Sequence, residues 1–207
     1  MNLDHRQIDC FCFTHLHGDH IGGFPFLVLD STYNQIRDRD IHIIGPVGVE
    51  NRLMALLRNS FGDVADKPRP FRIVFTELLP DQEVEFENWS IRGFAADHMD
   101  PPERPLCLQI ESPKGSAIAF SGDTQFCDGL FAAAKGVDML VCECSAMRPP
   151  AGRHCTWEEW QDNFSKLNTN RLLLTHLNEE VRAQSSELKR PQNLELLFAD
   201  DGLIFDL

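Results

Sequence analysis

Short apolar runs, broken by glycine- and proline-marked turns, alternate with stretches of helix-like spacing along most of this chain. Ile8-Asp9-Cys10-Phe11-Cys12-Phe13 reads as a buried strand running into a turn. Gly23 to Tyr33 is apolar enough for a buried helix, with Pro25 acceptable in its first turn. Ile41 to Ile44, closed by Gly45-Pro46, predicts a strand and turn. Val49 to Phe61 then places Leu53, Leu56, Leu57 and Phe61 on one face of an amphipathic helix. Residues 63–70 are polar with two prolines and read as a loop. Phe71 to Phe75, Glu83 to Phe86 and Trp89 to Ala95 alternate at period two, as half-buried strands do.

Later in the chain, Leu106 to Ile110 and Ala117 to Phe120 flank Pro113-Lys114-Gly115 and predict a hairpin. A helix near Phe126 to Lys135 and a buried strand from Val137 to Ser145 follow. Thr156 and Glu159 form a capping box opening a helix from Trp157 to Leu167. Arg171 to His176 is a further strand. Residues 178–192 read as a solvated polar stretch, and Leu194 to Phe198 and Leu203 to Leu207 as two strands joined by a turn at Asp200-Asp201-Gly202.

The 207 residues fit one domain, and 43% hydrophobic with 25% charged residues is ordinary for a soluble globular protein. No run of 18 apolar residues is present, so no membrane span is expected. Asp4, His5 and Arg6 near the start replace the apolar core of a secretory signal. Five of the seven cysteines (Cys10, Cys12, Cys107, Cys142, Cys144) lie inside apolar runs and none forms a C-x-x-C pair. They read as reduced core residues, and the expected localisation is cytoplasmic.

Chemistry concentrates after the first strand. Thr14-His15-Leu16-His17-Gly18-Asp19-His20 puts three imidazoles and a carboxylate into six residues. Such a group cannot be buried without a cation or many hydrogen bonds, because unpaired buried polar groups are costly. Imidazole and carboxylate are ligands that zinc prefers. One loop cannot complete two metal spheres alone, so distant residues at strand ends are expected to help, and His98, Asp123 and His176 are the candidates. Asp123 has an alternative role as N-cap of the helix that follows it. His42, alternating with isoleucines, reads as structural.

These residues, with Ala96-Asp97-His98, Ser121-Gly122-Asp123-Thr124 and Thr175-His176, resemble the five-part motif set of the metallo-β-lactamase fold superfamily of hydrolases. The resemblance implies an α/β fold, an αββα sandwich over residues 1–207 as a single domain. It also implies two divalent metal ions, one held by His15, His17 and His98, the other by Asp19, His20 and His176, with Asp123 bridging. Zinc fits this donor set, and manganese or iron is compatible with it. Few residues precede the first motif, whereas strands precede it in the superfamily, so the expectation is a domain lacking its N-terminal strands.

His154 lies 22 residues before His176, in His154-Cys155-Thr156. This spacing resembles the phosphodiesterase branch, ribonuclease Z and its smaller cyclic-phosphodiesterase relatives, in which the corresponding histidine assists the leaving group. The local alternative is that His154 merely begins a helix. Glu143, at a strand end, is a candidate to orient it. Asp19, His154 and Glu143 are therefore the candidate catalytic residues, and Asp97 is a candidate to brace His98.

Charge narrows the substrate. The formal net charge is −13 and Lys189-Arg190 is the densest basic pair, which argues against a long nucleic-acid footprint. The 25 positions from His98 to Asp123 leave no room for the tRNA-grasping arm of ribonuclease Z. The expected substrate is thus a small or short nucleotide phosphodiester, with no membrane partner, and a homodimer is compatible with the branch. Two other readings stay open: hydrolysis of an aryl sulfate, lactone or thioester, and a catalytically silent metal-binding fragment.

Overall fold

The computed structural model describes residues 4–205 and divides into two compact units, Met1–Leu78 and Leu79–Leu207. The first unit carries a three-stranded sheet of β1 (Cys10–Cys12), β2 (Ile41–Pro46) and β3 (Ile73–Leu78), all parallel, in the order β1-β2-β3. Parallel neighbours need crossovers, and helices supply them. Between β1 and β2 lie the single turn α1 (Gly18–Ile21) and α2 (Phe24–Tyr33); α3 (Val49–Phe61) joins β2 to β3. The amphipathic spacing of α3 explains its burial. Leu53 and Leu57 are fully enclosed with Val28 of α2 and Ile41 and Ile43 of β2.

Two sequence expectations are corrected here. β1 is only three residues long and half-buried rather than a buried strand over 8–13, because it lies at the sheet edge with β2 as its one neighbour. β2 continues through Gly45 and Pro46, since Gly45 and Pro46 still pair with Glu77 and Leu78 of β3. Where the chain enters β2, the buried Arg37 donates to the carbonyl oxygens of His5, Ile8, Arg39 and Asp40 at 2.7–3.1 Å. A cation satisfied by four carbonyls ties the crossover to the start of the unit.

The second unit is built on seven strands: β4 (Glu83–Phe86), β5 (Trp89–Ala95), β6 (Leu106–Glu111), β7 (Ala117–Phe120), β8 (Met139–Glu143), β9 (Arg171–Thr175) and β10 (Glu195–Phe198), ordered β10-β9-β8-β7-β6-β5-β4. β4 to β7 are antiparallel neighbours and β7 to β10 are parallel. Consequently β5, β7, β8 and β9 all end at one edge of the sheet. Glu87 and Asn88, with φ of 48° and 69°, make the two-residue left-handed turn that joins β4 and β5 in register.

Helices α4 (Asp128–Ala133), α5 (Trp157–Asn163) and α6 (Glu179–Gln184) cover one face of this sheet. Leu130, Trp160 and Val181 are buried with Leu140, Cys142, Leu172 and Leu174, alternate positions of β8 and β9. Gly129 is required for the approach of α4, because a Cβ there would lie 1.9 Å from the Ala95 carbonyl oxygen. The capping box at α5 forms as its residues predict: Thr156 Oγ1 accepts from Glu159 N–H at 3.3 Å, and Glu159 Oε2 accepts from Thr156 N–H at 3.1 Å. The polar stretch 178–192 contains α6, which sequence periodicity missed because one apolar residue, Val181, anchors it.

The expected terminal hairpin is not formed. β10 pairs parallel with β9, residues 203–205 are not in a strand, and residues 206–207 lie outside the described residues. All seven cysteines are free; Cys107, Cys142, Cys144 and Cys155 are buried, whereas Cys10, Cys12 and Cys127 are only partly so. No helix among the described residues is long and apolar enough to cross a membrane.

Candidate metal centre and catalytic pair

In the first unit, β1 ends just before Thr14 and the chain turns into α1, which begins at Gly18. This sharp turn gathers the imidazoles. The His15 ring centroid lies 5.0 Å from that of His17 and 4.0 Å from that of His20. His15 is buried, with Nδ1 3.2 Å from Thr14 Oγ1. Asp19, in the first turn of α1, is exposed, and its carboxylate lies 3.3 Å from His20 Nε2.

In the second unit, the shared strand edge does the gathering. His98 follows β5, Asp123 follows β7, Glu143 ends β8 and His176 follows β9. Gly122, at φ +57°, turns the chain out of β7 toward Asp123, a conformation costing L-residues about 1–2 kcal/mol. His176 adopts the same left-handed region at φ +53° without being glycine. A strained non-glycine residue persists where surrounding structure holds it, and such residues cluster at functional sites.

Asp123 is buried, and its Oδ2 lies 3.8 Å from His98 Nε2 and 3.6 Å from His176 Nε2. Both separations exceed a hydrogen bond. Ligand atoms sharing one tetrahedral zinc at its usual bond lengths sit about 3.4 Å apart, so Asp123 Oδ2 with His98 Nε2, and Asp123 Oδ2 with His176 Nε2, are each spaced as two ligands of one divalent cation are. Asp123 does not cap a helix, since α4 starts five residues later with Cys127 as N-cap.

His154 lies in the loop before α5. Its Nδ1 is 2.8 Å from Glu143 Oε1, and its ring stacks on His176 at 5.5 Å and meets His98 edge-on at 4.8 Å. His154 does not begin the helix; Thr156 is the N-cap. Glu143 is 1% exposed, and its Oε1 also accepts from Thr124 N–H at 2.7 Å. Glu143 N–H in turn donates to Ser121 Oγ at 3.1 Å, and Trp160 Nε1 donates to the Glu143 carbonyl at 3.1 Å. Desolvation pushes the Glu143 carboxyl from 4.5 up to about 8, against the opposing effect of the Thr124 N–H.

Asp97 does not brace His98. Its carboxylate accepts from Gln125 Nε2 at 2.6 Å and faces Arg153 at 3.9 Å. The group 3.1 Å from His98 Nδ1 is the backbone carbonyl of Arg153, whose guanidinium donates to Asp100 at 2.5 Å. A carbonyl serves as well as a carboxylate for orienting an imidazole. Sequence reasoning missed Arg153 because a backbone acceptor has no residue-type signal. Thr124 and Ser121, by contrast, stand within the Ser121-Gly122-Asp123-Thr124 motif.

A family model described as "Anti-Pycsar protein Apyc1" matches residues 1–197 of the 207. The chain belongs to that family. It is 29% identical over 168 residues to the uncharacterized protein Rv1339 of Mycobacterium tuberculosis, covering 79% of this chain and 60% of that protein's length. The human short-form tRNase Z structure aligns with TM-score 0.73 and 20% identity, covering 99% of this chain and 81% of that one. The metallo-β-lactamase fold protein YhfI of Bacillus subtilis aligns with TM-score 0.69 and 17% identity, covering 96% and 78%. At these identities the structural likeness shows the fold: this member of the Apyc1 family has the metallo-β-lactamase fold.

Proposed function

We propose that the protein is a metal-dependent phosphodiesterase acting on a small or short phosphodiester. The observation that carries this reading is the Glu143–His154 pair, 2.8 Å apart and ringed by His98 and His176. We assign His15, His17 and His98 to one divalent ion and Asp19, His20 and His176 to a second, with Asp123 between them, as the motif resemblance implies. The donor set of imidazoles and carboxylates supports zinc, with manganese or iron compatible. Bound metal in such sites supplies an activated water and offsets charge on the phosphoryl oxygens.

The chain's own residues do the rest. Glu143, locked by Thr124 N–H, occupies His154 Nδ1 and so fixes the imidazole's orientation and tautomer. Nε2 is thereby the nitrogen left to face substrate. Protonated there, His154 donates to the departing alkoxide oxygen, and the resulting neutral imidazole keeps its Nδ1 contact to Glu143. Burial of the pair strengthens this hydrogen bond, since screening by water is reduced. The net charge of −13 supports a short substrate, because long nucleic acids require many cationic contacts.

The test is hydrolysis of bis-(p-nitrophenyl) phosphate by wild type and His154→Ala, with metal content measured on the same samples. Wild type should cleave the diester, and His154→Ala should retain its metal while turnover drops about 10²–10⁴-fold, the usual contribution of a positioned general acid. Unchanged turnover in His154→Ala overturns the role of His154. Metal-loaded protein that ignores the diester but cleaves lactones, thioesters or aryl sulfates overturns the substrate class.

A further inference from the structure

The strands of the second unit's sheet have two ends, and Glu143 and His154 lie at only one of them. At the opposite end, where β8, β9 and β10 begin, lies a cavity of about 810 Å³. This is within the size range of small-molecule sites. Phe164 and Leu167 supply apolar surface, Asn168 and Asn170 offer carboxamides, and Lys189 and Arg190 provide two cations. No aspartate or glutamate lines it, although the chain carries 32 acidic residues against 19 basic ones.

The cations are not neutralised by the surrounding acid. Neither Lys189 nor Arg190 pairs with a carboxylate among the described residues, whereas Arg153, Arg171 and Arg182 each do. Arg190 is also held in place. Its Nη1 donates to the Leu196 carbonyl at 2.7 Å and its guanidinium lies 5.6 Å from the Phe198 ring centroid. An arginine fixed by a carbonyl and an aromatic face keeps its other donors for a ligand at reduced entropic cost. The wall is equally fixed: the Asn168 carbonyl accepts from Gly136 N–H at 3.1 Å and the Asn170 carbonyl from Glu195 N–H at 2.8 Å. Their side-chain amides make no hydrogen bond among the described residues.

We propose that this cavity is a second binding site, separate from the catalytic edge, for an organic phosphate of about mononucleotide size: Lys189 and Arg190 take the phosphate, Phe164 and Leu167 the apolar body, and the carboxamides its polar edge. Free phosphate and a phosphorylated organic molecule share the first feature, and the test separates them. Because β8 and β9 start beside this cavity and run to Glu143 and to Thr175, just before His176, occupancy here sits on the same two strands as the candidate catalytic edge.

The experiment is calorimetric titration of the full chain in excess EDTA with adenosine 5′-monophosphate, adenosine and inorganic phosphate. The expected result is saturable binding of one adenosine monophosphate per chain, with adenosine and phosphate each at least about tenfold weaker. Lys189→Glu and Asn170→Asp, both at exposed positions, should each weaken it at least about tenfold with unchanged thermal midpoint, because each sets a carboxylate against the anionic ligand and the first also removes a charge-assisted contact. His17→Ala, in the other unit, should leave it intact. No saturation at millimolar ligand, indifference to both cavity substitutions, or loss in His17→Ala overturns the proposal. Phosphate binding as tightly as the nucleotide overturns its organic part.

Discussion

Replacing Glu143 with glutamine should remove most of a pH-dependent term in the stability of the metal-free protein. The carboxyl titrates near 4.5 in the unfolded chain and is pushed to about 8 when buried. Between those values the folded protein holds a proton that the unfolded chain has released. The stabilising contribution is therefore complete below pH 4.5 and is lost as pH rises through about 8. The whole gap corresponds to at most about 5 kcal/mol. The contacts that Glu143 Oε1 makes to Thr124 N–H and to the His154 ring offset part of the cost, so about 2 kcal/mol between pH 5 and 8 is the expected loss. Glutamine keeps an acceptor for Thr124 N–H but cannot ionise. Urea unfolding in EDTA, followed by far-ultraviolet circular dichroism at pH 5, 6, 7 and 8, compares the two proteins. Wild type should lose stability more steeply than Glu143→Gln across this window, the other titrating groups being common to both. Parallel profiles, or a steeper loss in the variant, would refute the assignment of that term to buried Glu143.

Gly129→Ala forces a Cβ to within 1.9 Å of the Ala95 carbonyl oxygen, so α4 must shift from β5. A cost of about 1–3 kcal/mol and a thermal midpoint lowered by about 3–10 °C are expected by calorimetry; an unchanged midpoint would contradict the close packing. Arg153→Ala removes the ion pair to Asp100 and loosens the loop whose carbonyl lies against His98 Nδ1. Its exposed ion pairs are worth about 0–1 kcal/mol, so the midpoint should hardly move while diester turnover falls about tenfold; full activity would show that the loop is held by other contacts. Thr156→Ala deletes one half of the α5 capping box and should cost about 1 kcal/mol in urea unfolding, whereas Thr156→Ser should restore it.

Local chemistry was legible in the residues themselves. Val49–Phe61 is a helix with the bounds its periodicity predicts, the Thr156–Glu159 box forms, and β4 and β5 lie where period-two alternation puts them, because each depends on neighbours within a few positions. His15, His17 and His20 were bound to lie within about 17 Å of one another, the reach of five extended residues, and the turn into α1 brings the His15 ring to 5.0 Å from His17 and 4.0 Å from His20. The meeting of His98, Asp123, Glu143, His154 and His176 is different. It rests on β5, β7, β8 and β9 sharing one direction within a single sheet, a property of strand order that no local pattern encodes. Tertiary structure alone also decided that β10 joins parallel to β9 rather than folding into a hairpin, that His98 Nδ1 faces a backbone carbonyl instead of Asp97, and that burial raises Glu143. Residue type states which groups can ionise or ligate. Only the packed chain decides how much water each one keeps and which partner stands within reach.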